Sequence, residues 1–144
     1  MTIYKTKARE DAFLVLYQWD IKGGNLEEII EEYIAMNRIK HEERRRYLRK
    51  LLRTYFNHAE AIDKQITDNL EGWDFDRLGY IERNILRLAL AELLYIKVKY
   101  PVLVLYDYLR IATKYAGKTP AKFINGVISK INPLSIPYNP KDNA

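Results

Sequence analysis

The chain has 144 residues, with 24 Lys/Arg against 19 Asp/Glu, a formal net charge of +5 and 48% hydrophobic residues. That balance suits a single globular domain with its own core and excludes a disordered chain. The absence of cysteine excludes disulfides and thiolate metal sites, and no apolar run approaches the roughly 20 residues of a membrane span. The N-terminal stretch MTIYKTKARED carries no apolar signal-peptide core, so a cytoplasmic protein is expected.

In chain order, Ala8, Ala12, Val15, Leu16 and Trp19 recur at helical spacing and predict a first helix from about Lys5 to Asp20. Gly23-Gly24 stops it. Asn25 then reads as an N-cap, with Glu28 three residues on as the other half of a capping box. Leu26, Ile29, Ile30, Tyr33 and Ile34 mark the apolar face of a second helix. A third spans roughly His41 to Asn57, and its stripe of Leu48, Leu52 and Tyr55 runs on through Ala59, Ile62 and Ile66. A fourth helix nearly continuous with the third is therefore expected, ending before Gly72. The segment GWDFDRLGY is a loop or short turn, with Trp73 and Phe75 available to plug the core.

From Tyr80 to about Lys97 the pattern is apolar on most sides, through Ile81, Ile85, Leu86, Leu88, Leu90, Leu93 and Leu94. A helix of that kind belongs in the middle of a bundle. Pro101 suits the first turn of the next helix, which Gly117 ends. Thr119-Pro120 reads as an N-cap followed by proline at the first helical position. The last helix carries Phe123, Ile124, Val127, Ile128 and Ile131. Pro133, Pro137 and Pro140 predict a tail, residues 133–144, without regular structure. The expected fold is all-α: about seven helices with short connections in one domain, residues 1–132.

The sequence holds little that looks catalytic. Only His41 and His58 are present, and no His/Asp/Glu cluster has metal-ligand spacing. The pairs Glu27/Glu31 and Glu28/Glu32 lie at i,i+4 on a polar helix face and read as solvated. ATKYAGKT, residues 112–119, satisfies a loose phosphate-loop pattern. Such a loop wraps successive backbone N–H groups around phosphate between a strand and a helix. Here a helix precedes Gly117, one glycine is available, and Pro120 removes a backbone donor. Nucleotide binding is the weakest reading, and no cofactor is expected.

Positive charge is concentrated. Residues 41–53 hold six Lys/Arg against two Glu, and residues 95–130 hold seven against one Asp. An anionic partner fits that distribution. Lys5, Lys7 and Arg9 lie on and before the first helix beside Tyr4, placed either to reach a phosphate backbone or simply to solubilise the terminus. Arg44, Arg45, Arg46, Arg49, Lys50 and Arg53 lie mostly opposite the apolar stripe and read as a solvated face. Arg83 and Arg87, one turn apart on the buried helix, either pair with core carboxylates such as Glu92 or Asp107 or line a surface for RNA or protein. Lys118, Lys122 and Phe123 flank the start of the last helix, whose N-terminus suits phosphate. Phe123 is either a stacking platform or a core residue.

Three phrases, KAREDAFLVLYQWD, LGYIERNILRLALAEL and KFINGVISKI, occur in an order and spacing that resembles the NusB family of bacterial transcription antitermination factors over about residues 5–132. The resemblance implies two packed helical subdomains. It also implies binding of single-stranded boxA-type RNA together with NusE, a small-subunit ribosomal protein, in RNA polymerase antitermination complexes on ribosomal RNA operons. Carried over by position, it implies RNA contacts from Lys5, Lys7, Arg9, Arg87, Lys122 and Phe123. Tyr17 and Glu82 match positions that face the protein partner. Asn125 and Gly126 match the last motif. A homodimer is a further possible assembly. The rival expectation is a structural or oligomeric helical module whose basic faces meet only solvent.

Overall fold

The computed structural model describes residues 2–72 and 74–133. Among them are seven α-helices and one short 3-10 turn: α1 (Ile3–Lys22), α2 (Leu26–Met36), α3 (Glu42–Asn57), α4 (Ala59–Asp68), the turn Phe75–Arg77, α5 (Tyr80–Tyr95), α6 (Pro101–Ala116) and α7 (Lys118–Ile131). The all-α expectation holds. Trp73 and the tail from residue 134 onward lie outside the described residues.

Local chemistry explains most of the boundaries. Asn25 Oδ1 accepts a hydrogen bond from the Glu28 backbone N–H at 3.0 Å, the N-cap that the sequence indicates. His41 caps α3 through Nδ1, which accepts from the Arg44 N–H. The stripe shared by α3 and α4 is interrupted only at His58. The start of α7 differs from expectation. It begins at Lys118 rather than after Thr119, with no side-chain cap. Gly117 alone separates α6 from α7, with φ +95°, a conformation that costs glycine little. The chain reverses in one residue, and Pro120 falls in the first turn of α7, where its missing N–H has no intrahelical partner to lose.

Helix α5 is central. Its residues from Arg83 to Glu92 are all buried, and it packs against α1, α3, α4, α6 and α7. α1, α2 and α3 form one packed group, and α5, α6 and α7 another. The α1–α5 and α3–α5 contacts join the groups through one continuous core that includes Ala12, Leu16, Leu48, Leu52, Ile62, Leu86, Leu90, Ile111 and Ile124.

Through this core run buried ion pairs anchored on α1. Glu92 on α5 accepts from Arg9 Nε at 2.8 Å, Arg9 Nη2 at 2.6 Å, and the hydroxyls of Tyr47 and Tyr108 at 2.7 Å each. Arg9 Nη1 reaches Asp107 on α6 at 3.0 Å. One turn of α1 thus holds α3, α5 and α6 together. Asp11 takes Arg44 of α3 at 2.6 and 2.9 Å and the Tyr33 hydroxyl of α2 at 2.7 Å. At the far end, Asp20 takes Arg83 at 2.8 Å and Asn84 at 3.0 Å.

Burial pushes the Tyr108 phenol well above its ordinary range, and the Glu92 charge adds to the shift. Burial and the same carboxylate raise Tyr47. A phenol whose pKa is raised by folding contributes stability that is complete below about pH 10, where an unfolded tyrosine ionises, and is lost as pH rises further. Urea unfolding should therefore show stability falling steadily above about pH 10. Tyr47→Phe should flatten that fall, and an unchanged slope would show that the hydroxyl does not titrate as the contacts require.

Candidate nucleic-acid interface

The structure separates the expected site residues into three groups. The first is buried. Arg9 is 2% exposed, with its guanidinium held between Glu92 and Asp107. Burial alone disfavours its charge, but the hydrogen bonds and field of Glu92 outweigh that and hold it charged above its ordinary value. Arg87 is 7% exposed. Its Nε and Nη2 donate to the two oxygens of Asp63 at 3.1 and 3.0 Å, and Nη1 donates to Asn84 Oδ1. Burial opposes its charge too, and Asp63 and its neighbours more than offset the effect. Both arginines were expected to neutralise RNA phosphate. In this fold their donors are spent on internal carboxylates, so a phosphate would have to displace buried ion pairs to reach them. The pairing alternative for Arg83 and Arg87 holds in kind but not in partner: their carboxylates are Asp20 and Asp63, whereas Glu92 and Asp107 belong to Arg9.

The second group lies where α1 ends and α5 and α7 begin. Tyr17 is half-buried, and its ring meets the Tyr80 ring edge-on at 6.3 Å. Glu82, one short step along α5, lines a cleft of about 190 Å³ with Arg77, Leu78, Gly79, Thr119, Pro120 and Phe123. A Cβ at Gly79 would collide with the Glu82 carboxylate, so glycine is what lets that side chain lie across the start of α5. Phe123, half-buried and packed against the core, therefore faces the residue expected to meet the protein partner. Lys122 projects into the adjoining cleft of about 370 Å³, beside Lys118 and Arg110.

The third group surrounds the start of α1. Lys5 lines a cleft of about 430 Å³ with Thr2, Lys97, Val98, Lys99 and Tyr100, and Arg9 and Val104 form part of its wall. It also lines a second cleft of about 240 Å³ with Tyr4, Glu43, Arg46, Tyr47 and Lys50. Lys5 Nζ sits 5.1 Å from the Tyr47 ring centroid, and Lys7 is exposed. Sequence reasoning passed over Lys97, Lys99 and Tyr100 individually. The available signal was the excess of cations over residues 95–130, together with an aromatic immediately before Pro101.

The seven helices and their packing have counterparts among known proteins. The model of the NusB family matches residues 6–133, and the transcription antitermination protein NusB of Aquifex aeolicus is 45% identical over 128 residues, 89% of this chain and 86% of that protein. The chain belongs to the NusB family. The solution structure of Aquifex aeolicus NusB superposes with a TM-score of 0.80 at 42% identity, covering 96% of this chain and 97% of that one. A NusB solved with NusE and double-stranded RNA superposes with a TM-score of 0.86 at 44% identity, covering 91% and 97%.

The placement of the arginines makes a direct prediction. Arg9→Ala should destabilise the protein by about 3–5 kcal/mol in urea unfolding, because it leaves Glu92 buried and uncompensated. Arg87→Ala should cost less, since Asp63 remains partly solvated. Lys122→Ala should leave the midpoint unchanged within error. A neutral Arg9→Ala would contradict the buried pairing.

Proposed function

We propose that this protein is a non-enzymatic antitermination factor that binds RNA together with NusE, acting in the cytoplasm within RNA polymerase complexes that transcribe ribosomal RNA operons. The carrying observation is its 44% identity and 0.86 TM-score to a NusB solved with both NusE and double-stranded RNA. The RNA is of boxA type. Lys5, Lys7 and Lys122 neutralise phosphates, and Phe123 supplies an aromatic edge near the protein contact. Tyr17 and Glu82 face NusE. The charge distribution supports this assignment: the exposed lysines flank the helix bundle at the starts of α1 and α7, where no ion pair holds them among the described residues. A homodimer through the same faces is the competing assembly when RNA and NusE are absent. A purely structural helical module is the reading that the similarity disfavours.

The test is fluorescence anisotropy with boxA RNA, single-stranded and as a duplex, in the presence and absence of NusE. Cooperative binding with NusE is the expected outcome. Lys5→Ala/Lys7→Ala should flatten the dependence of log affinity on log salt by about 1.4 for a single strand, two contacts' worth. An unchanged slope would remove the N-terminal lysines from the site, and no binding to either RNA with NusE present would refute the reading itself.

A further inference from the structure

Three clefts on one side of the molecule share lining residues. Arg46 belongs both to the cleft bounded by Glu42, Arg45, Arg49 and Arg53 and to the one bounded by Tyr4, Lys5, Glu43, Tyr47 and Lys50. Lys5 joins the latter to the cleft of Lys97, Lys99 and Tyr100. The clefts are therefore contiguous: a saddle runs from the exposed face of α3, over the first turn of α1, to the connection between α5 and α6.

The cations on this saddle differ from their neighbours. In the α3 run, Arg44 is bound to Asp11, Arg45 donates to the Ile39 carbonyl at 2.7 Å, Arg49 pairs with Glu31 and Arg53 lies 3.5 Å from Glu27. Arg46 and Lys50, one turn apart and exposed, have no carboxylate partner among the described residues. Lys97 and Lys99, both exposed, and Lys5, half-buried, likewise have no carboxylate partner among the described residues. The two clefts that meet at Lys5 are lined by six cations, Arg9 among them in its buried pair, and by a single carboxylate, that of Glu43. Tyr100 is 53% exposed, an unusual position for a large ring, with Lys99 Nζ 5.5 Å from its centroid. Exposed cations interleaved with an exposed aromatic are the elements of single-strand binding: charge tracks the backbone while a ring takes a base.

We propose that this saddle is an RNA track: Arg46, Lys50, Lys97 and Lys99 contact successive phosphates on either side of Lys5, and Tyr100 stacks a nucleobase. This rests on the RNA-binding reading and extends the footprint to α3 and the α5–α6 connection. It also accounts for two buried features. Arg9 forms the floor of the saddle, and its clamp on Glu92 and Asp107 fixes α1 against α5 and α6, so that Lys5 stands at the junction of the clefts. Tyr47, held by Glu92, presents its ring beneath Lys5.

The experiment uses the full chain and a fluorescein-labelled single-stranded boxA RNA, with NusE present, titrated over a range of salt. Arg46→Ala/Lys50→Ala and Lys97→Ala/Lys99→Ala should each reduce the salt slope by about 1.4. Tyr100→Ala should weaken binding by roughly 5- to 150-fold, while Tyr100→Phe, which keeps the stacking face, stays within about twofold. Lys22→Ala, at the opposite end of α1, is the control and should leave the slope unchanged. All the substituted residues are exposed, and an unaltered thermal midpoint verifies that each variant is folded. Wild-type binding with slopes unchanged in both double variants overturns the track while leaving the RNA reading intact. Loss of RNA binding by wild type overturns both. A weakened NusE affinity without RNA, with the RNA slope unchanged, assigns the face to protein and likewise overturns the track.

Discussion

The carboxylate of Glu92 holds the molecule's register. It is fully buried and accepts hydrogen bonds from Arg9 Nε, which both its oxygens share, from Arg9 Nη2, and from the hydroxyls of Tyr47 and Tyr108. A buried charge is tolerable only when its lone pairs are satisfied, so four helices are obliged to meet at one point. Apolar packing alone would let α1 slide against α5, because Ala, Leu and Ile surfaces are interchangeable to a first approximation. The charged contacts remove that freedom. Asp20 meeting Arg83 and Asn84 at the other end of α1 makes the alignment a two-point one.

This arrangement divides the protein's cations into two populations. Arginine, with its planar fork, takes the internal positions and spans pairs of carboxylates: Arg9 between Glu92 and Asp107, Arg87 between Asp63 and Asp20, and Arg44 on Asp11. Lysine dominates the exposed positions, at Lys7, Lys97, Lys99, Lys118 and Lys122, with Lys5 half-buried beside them. The positive potential that an anionic partner meets comes mostly from the second population, because the charge of the first is neutralised within a few ångströms. A net charge of +5 therefore understates how uneven the surface is.

The surface also has two ends with different character. Around the starts of α5 and α7, Tyr17, Tyr80, Glu82 and Phe123 make an aromatic and acidic neighbourhood suited to a protein contact. Around the start of α1 the clefts are lysine-rich. Because α1 runs antiparallel to α5, the length of α1 separates them. Lys122, near the start of α7, sets a proposed phosphate contact at the first end as well, so in the proposed function RNA would span both ends of one rigid frame and adjoin the protein contact.

Much of this was legible in the amino-acid sequence. Helical periodicity, the Asn25 cap, Pro101 and Gly117 located the elements, since these signals act within a few residues of one another. The apolar circumference of Tyr80–Tyr95 announced the central helix, and three motifs indicated the family. What the sequence left open was the partner of each charge. Arg9 and Lys5 lie one turn apart on α1, yet one is sealed in the core and the other stands at the surface. Arg46 and Arg49 share a helix but not a fate. Pairing across 83 residues, as between Arg9 and Glu92, depends on how helices cross, and no local pattern records that. The chain determined which segments are helical and which faces are apolar; only the tertiary packing decided which cations are consumed inside and which remain for a ligand, because burial and ion pairing are properties of neighbours brought together in space.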